Sequence, residues 1–181
     1  MDVTVRSATV DDAERLGQIK VQGWRAAYAG LLPAATLDAL EATDWAQRFA
    51  ARIVELAGRT DQSLLVADTG DTVAGYVSLG PDRGNGIASA GEVYALYVDP
   101  LTWRDGVGHQ LMRSAEAELR RQGYQQAVLW VLEKNSAGRR FYERVGWSFD
   151  GERGERCEVE NAPEVRYGKR LVNVSEAHAQ A

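Results

Sequence analysis

Leu96-Tyr97-Val98-Asp99-Pro100-Leu101-Thr102-Trp103-Arg104-Asp105-Gly106-Val107-Gly108 decides the reading of this chain. An apolar, strand-like run ends at Asp99-Pro100, crosses a turn with two glycines, and feeds a helix predicted from about Gly106 to Gln122. The first N–H groups of such a helix have no intrahelical partner, and the helix dipole adds partial positive charge. The turn therefore suits a phosphate. Glycine at positions 106 and 108 removes side chains that would hold an anion away from the backbone. Arg104 can add a charge-assisted contact. A P-loop would place Lys and then Ser or Thr after the last glycine, where His109-Gln110 stand. A dinucleotide fingerprint would need a third glycine where Leu111 stands. The bland alternative is that the two glycines only shape a strand-to-helix turn.

Outward from this turn the hydrophobic period alternates. Downstream, Val107, Leu111, Ala115 and Leu119 form a helical stripe, and Gly123 is a natural stop. Ala127-Val128-Leu129-Trp130-Val131 is a short continuous apolar run, read as a central strand. Asn135 or Ser136 caps a further helix on which Ala137, Phe141 and Val145 align before Gly146. Trp147–Asp150 and Val165–Leu171 read as the last strands, with Gly151–Pro163 a polar connector.

Upstream, Glu92–Val98 is a strand and Pro81–Gly91 an exposed loop. Ser63–Asp68 and Thr72–Leu79 form a hairpin through Thr69-Gly70-Asp71. Helical patterns cover Pro33–Leu40 and Asp44–Ala57, and a first helix runs from the cap at Thr9 to about Ala29, after a short strand at Val3–Val5. The element order predicts an α/β (α+β) fold: a mixed, mostly antiparallel twisted sheet of about seven strands with helices on both faces. Trp45, Trp130 and Trp147 are assigned to its core.

At 181 residues the chain fits one domain, 1–173, with a polar tail at 174–181. Hydrophobic residues at 45% and charged residues at 26% mark a globular chain rather than a disordered one. No apolar run is long enough to span a bilayer and the N-terminus does not read as a signal peptide, so the expected compartment is the cytoplasm and no membrane partner is expected. The net charge of −5 argues against a nucleic-acid surface. Cys157 is the single cysteine, so neither an internal disulfide nor a thiolate cluster is expected. His178 falls in the tail, and His109 has no second metal-type residue nearby, so no metal site is expected.

A second segment changes the weight of the glycine turn. Asn135-Ser136-Ala137-Gly138-Arg139-Arg140-Phe141-Tyr142-Glu143-Arg144-Val145-Gly146-Trp147 follows the central strand. Together the two segments resemble the GNAT superfamily of N-acetyltransferases. In that family a strand ending apolar-Val-x-Pro leads to Gln/Arg-x-x-Gly-x-Gly/Ala, and a later helix carries Asn-x-x-Ala…Phe-Tyr-x-x-x-Gly-Phe. The likeness runs from Val3 to about Leu171. It departs at Trp103, which stands where Gln or Arg is usual, with Arg104 one place later. It departs again at Asn135, which is one residue nearer Ala137 than the pattern has it.

The resemblance implies that acetyl-CoA is the donor. Its pyrophosphate would lie on Trp103, Arg104, Asp105, Gly106, Val107, Gly108 and His109, with Asn135 and Tyr142 also at the cofactor. It implies that the strands matching Glu92–Val98 and Ala127–Val131 splay apart, so that the pantetheine arm pairs with exposed backbone along Leu96, Tyr97 and Val98, chiefly that of Leu96 and Val98. The Val98 N–H would face the oxyanion. An amine acceptor arrives protonated and needs a base. Glu92 is the first candidate, against a solvated strand-end charge, and Glu133 the second. Tyr142 would protonate the departing thiolate; alternatively it only packs its ring. Asn135 contacts the cofactor or merely caps its helix. Trp24 and Tyr28 would wall the acceptor pocket, although an aromatic pair at this spacing also serves plain packing. The implied function is acetyl transfer to a primary amine of a small molecule, amino acid, peptide or protein. A non-catalytic acyl-CoA-binding or sensor domain is the alternative. Exposed strand edges are compatible with a homodimer.

Overall fold

Polar residues alternating with Val3 and Val5 make an edge strand, β1 (Thr4–Ser7), and a single 3₁₀ turn, Val10–Asp12, leads into α1 (Ala13–Ala27). The carboxylate of Asp12 accepts the Thr9 N–H at 2.7 Å, so the predicted cap forms. A short α2 (Ala34–Asp38) and α3 (Ala42–Leu56) follow, then the hairpin β2 (Ser63–Asp68) and β3 (Val73–Pro81). The second half of the chain is β4 (Ala90–Val98), α4 (Val107–Arg121), β5 (Gln126–Leu132), α5 (Ser136–Arg144), β6 (Ser148–Gly154) and β7 (Glu164–Arg170). The structure is a computed structural model and describes residues 2–84, 90–155 and 162–171. Cys157, His178 and the tail at 174–181 lie outside the described residues.

One seven-stranded sheet has the order β1-β2-β3-β4-β5-β7-β6. Every neighbouring pair is antiparallel except β4 and β5. The predicted stripe of α4 lies against one face, where Val107, Leu111, Ala115 and Leu119 are buried with Val77, Leu79, Val93, Leu129 and Val131. On the other face Leu16 and Ile19 of α1 pack with Leu64, Val66 and Tyr76, and Phe49, Ile53 and Leu56 of α3 close over them. Helices thus cover both faces, as the element order predicts. Among the described residues no helix is long and apolar enough to cross a membrane.

Three expectations need correction. The connector expected from Gly151 to Pro163 begins later, because β6 runs through Gly154. As the outermost strand it is exposed along almost its whole length, so its composition carries no buried alternation to read. Of the three tryptophans assigned to the core, only Trp147 is fully buried. Trp45 and Trp130 are half-buried, Trp45 on the outer layer formed by α3 and Trp130 on the part of β5 that β4 does not pair. Trp24, expected at the acceptor pocket, is instead buried in a core cluster with Leu32, Leu37 and Leu132.

Candidate active site

β4 is paired with β3 along its length, up to Val98 opposite Gly75. With β5 it pairs only over Ala90–Val93, opposite Gln126–Leu129. Beyond Val93 the strands part, and β4 shows an unpaired edge. Opposite the splay, Leu79 faces Val93 but Ser78 faces Ala95, so Tyr94 is the extra residue of a β-bulge. Bulges bend a strand and sharpen its twist, which turns the second half of β4 away from β5. The Asp99 N–H donates to the Ala74 carbonyl at 2.8 Å. By strand alternation the backbone groups of Tyr97 and Ala95 therefore point at β3, while those of Leu96 and Val98 point into the gap.

The exit of β4 is held rigidly. Asp99 is buried; its carboxylate accepts the Leu101 N–H at 2.8 Å and pairs with the Arg15 guanidinium. Arg15 also donates through Nε to the Val73 carbonyl at 2.9 Å, tying α1 to β3 at this corner. Nothing in the local sequence marks Arg15, which lies 84 positions from Asp99.

The turn that follows is left-handed twice, at Arg104 (φ 74°) and Gly106 (φ 86°). For arginine this conformation costs about 1–2 kcal/mol relative to right-handed backbone. Such strain at a turn is retained where the surroundings impose it. Residues alternating in this way aim successive N–H groups into one concavity. Gly106 is the N-cap of α4, with no side-chain capping bond. The first intrahelical bond comes from Gln110 to Gly106 at 3.1 Å, so the N–H groups of Val107, Gly108 and His109 form the unpaired first turn. A Cβ on Gly106 would meet nothing within 4 Å, so open space lies before the turn. Gly108 is different. A Cβ there would lie 3.3 Å from Phe141 and 3.7 Å from Val98. Its missing side chain seats α4 against α5 and β4, a packing role beside the phosphate clearance expected from sequence.

Trp103 is half exposed, and its Nε1 donates to the Val98 carbonyl at 2.9 Å. The residue that departs from the family pattern thus touches the unpaired edge of β4 itself. Asp105 is exposed beside it, and His109 is exposed with its ring edge-on to Phe141 at 5.6 Å.

From α5, Tyr142 is half-buried between Phe141 and Tyr167, at 5.3 and 6.3 Å between ring centroids. Burial, with the nearby Tyr28 phenol, pushes its hydroxyl well above the usual tyrosine range, so it carries its proton at neutral pH. Asn135 caps α5, its Oδ1 accepting the Gly138 N–H at 2.9 Å, so the capping role is present. Glu92 is not a solvated charge. Only 1% of its side chain is exposed, and its oxygens accept from the Arg83 backbone N–H and the Arg83 Nη2, both at 2.8 Å. Sequence reasoning passed over Arg83, which sits in the expected β3–β4 loop. Glu133 pairs with Arg153 of β6.

On the α1 face, the Trp24 indole N–H donates to the Tyr97 hydroxyl at 2.7 Å, and the Tyr28 hydroxyl lies 3.3 Å from the same oxygen. Trp24 thus braces Tyr97 from inside the core. Tyr28 is half-buried and packs against the cluster that includes Trp24 and Leu132. Lys20 places its ammonium 4.1, 4.6 and 4.7 Å from the rings of Trp24, Trp45 and Tyr97, fixing this aromatic wall further.

Comparison with known proteins agrees with this geometry. The model of the acetyltransferase (GNAT) family matches residues 24–147. The chain is 28% identical over 134 residues to YuaI, an uncharacterized N-acetyltransferase of Bacillus subtilis, covering 74% of this chain and 73% of that protein. It is 24% identical over 151 residues to a spermidine N(1)-acetyltransferase of Thermoplasma acidophilum, covering 83% and 91%. Among solved structures, PaiA N-acetyltransferase of Thermoplasma acidophilum, in complex with coenzyme A, superposes with a TM-score of 0.76 at 22% identity, covering 94% of this chain and 99% of that one. Splayed sheet, nested turn and family match converge: the chain belongs to the acetyltransferase (GNAT) family and is an N-acetyltransferase.

Proposed function

We propose that the chain transfers acetyl from acetyl-CoA to a primary amine by direct attack of the amine on the thioester. The observation that carries this reading is the half-paired strand: β4 keeps its edge to β3 and gives up its edge to β5 after Val93. The residues present fit the cofactor. The turn offers the N–H groups of Val107, Gly108 and His109 with open space before Gly106, and the edge offers the backbone of Leu96 and Val98. Bound there, acetyl-CoA supplies an activated acetyl group.

The chain's own residues do the rest. The Val98 N–H, aimed into the gap, stabilises negative charge on the thioester oxygen as the amine attacks. Glu92, six residues earlier on the strand and so roughly 20 Å from Val98, takes the ammonium proton through a relay of waters. Tyr142, protonated at neutral pH, donates to the departing thiolate. Tyr28 borders the acceptor, and the Trp24–Tyr97 bond keeps that wall in place.

One observation favours a second reading. Glu92 is covered by Arg83, as it would be in an acyl-CoA-binding domain that does not turn over. Coenzyme A release across spermidine, an aminoglycoside, free amino acids and peptides with free N-termini separates the two. Turnover by the wild type that falls in Tyr142→Phe and Glu92→Gln supports the enzyme. Tight acetyl-CoA binding without turnover of any amine supports the binding domain.

A further inference from the structure

The edge that β4 turns toward the gap is not bare at Val98. By alternation the Val98 carbonyl points into the gap, where β5 no longer pairs with the strand. The Trp103 indole supplies the missing donor, through Nε1 at 2.9 Å. The loop between the two residues is braced for this reach. Asp99 accepts the Leu101 N–H at 2.8 Å, and the Thr102 hydroxyl donates to the Asp99 carbonyl at 3.1 Å. A single 3₁₀ turn, Pro100–Thr102, then delivers Trp103 in extended backbone, one place before the left-handed Arg104. The backbone of Trp103 thus belongs to the turn, and the tip of its ring to the strand edge. Even so, Trp103 remains 45% exposed, and Leu101 on the same loop is 90% exposed. Two large apolar side chains therefore stand open beside the splay.

We infer that the Trp103 indole, pinned to the strand edge at Val98, is the apolar contact for the pantetheine arm of the cofactor. This rests on the reading of the splay as the acetyl-CoA site. Along its length coenzyme A presents a pyrophosphate, then a branched dimethyl segment, then the amides that lead to sulfur. The unpaired first turn of α4 suits the pyrophosphate, and the open edge of β4 suits the amides. Trp103 joins those two places, so the dimethyl segment has to pass its ring. An indole offers a large flat apolar surface, and a side chain that is already held loses little freedom when it is covered. The Val98 carbonyl has two acceptor positions, so the indole can keep one while an amide of the arm takes the other. A glutamine here would donate to the same carbonyl and offer no such face.

The test is calorimetric binding of coenzyme A, and of ADP, which keeps the pyrophosphate but lacks the arm. Wild type is compared with Trp103→Gln, which keeps a donor and loses the ring, and with Trp103→Phe, which keeps a ring and loses the donor. Trp103→Gln is expected to weaken coenzyme A binding about tenfold, the scale of one aromatic contact. Trp103→Phe, whose ring is no longer pinned, is expected to weaken it about threefold. Neither variant is expected to alter ADP binding. Tryptophan fluorescence of the wild type should change as coenzyme A binds, and most of that change should be missing in Trp103→Phe. Should ADP bind too weakly to measure, the fluorescence comparison decides. Equal losses for coenzyme A and ADP would put the effect on the turn and overturn the inference. Unchanged coenzyme A affinity in Trp103→Gln, or a fluorescence change that Trp103→Phe retains, overturns it as well. If the wild type binds no coenzyme A, the donor-site reading itself fails and the inference falls with it. Coenzyme A binding that ignores Trp103 sinks the inference alone.

Discussion

β4 is two strands in succession. From Ala90 to Val93 it is paired on both edges and behaves as ordinary sheet. From the bulge at Tyr94 to Val98 it is paired on one edge only. The first half holds the fold and the second half exposes backbone that a cofactor's amides can pair with. The difference teaches that this site is built by withholding hydrogen bonds at a chosen place. The neighbouring α4 repeats the device, since its first-turn N–H groups are also left open.

The largest expected effect comes from removing one N–H from each class. An ester in place of the Val98 amide deletes a group aimed into the gap and should lower kcat by about 10²–10³-fold. The same change at Tyr97 deletes a bond to β3 and should cost about 1 kcal/mol of stability while kcat is largely kept. Equal effects on kcat at the two positions would erase the distinction between the edges.

Tyr142→Phe should lower kcat by about 100-fold with little change in the KM for acetyl-CoA. Because burial raises the tyrosine, the kcat profile should show no alkaline limb from this group below about pH 10. A limb near pH 8 that vanishes in Tyr142→Phe would contradict the assignment. The folded protein holds that proton more tightly than the unfolded chain, so the associated stability is present at neutral pH and is lost only as pH rises past the ordinary tyrosine range.

The two glycines of the turn sharpen the comparison further. Gly106→Ala forces a side chain into left-handed backbone at about 1–2 kcal/mol and should raise the KM for acetyl-CoA about tenfold. Gly108→Val instead presses on Phe141 and Val98, and should lower thermal stability by about 1–3 kcal/mol. Calorimetry and acetyl-CoA titration on both variants separate these outcomes. A cofactor-binding defect in Gly108→Val without loss of stability would make clearance for the phosphate, not packing, the main role of its missing side chain.

The cradle was legible because it is local. Thirteen consecutive residues, Leu96–Gly108, hold strand, turn and helix start, and their roles follow from backbone chemistry. The stripe of α4 was legible for the same reason. The splay of β4 was not, because pairing that stops at Val93 leaves no mark in composition and was expected only from family likeness. Nor was Arg15 on Asp99, a contact between distant segments with no periodic signal. Gly108 illustrates the limit well: glycine at a turn announces a close approach but does not say which atom approaches. Glu92 read as a possible strand-end charge because its partner, Arg83, sits in a glycine-rich stretch that looks like solvent-facing loop. The acceptor wall drew Trp24 by family likeness, while its spacing to Tyr28 was the argument for plain packing; burial places it behind Tyr97.

Amide hydrogen exchange along β4, with and without acetyl-CoA, tests the central claim most directly. The N–H groups of Leu96 and Val98 should exchange rapidly in the free protein and become protected when acetyl-CoA binds, while those of Ala95 and Tyr97 stay protected throughout. Protection of Leu96 and Val98 that is already high in the free protein, or that acetyl-CoA leaves unchanged, would contradict a donor site built on the open edge of β4.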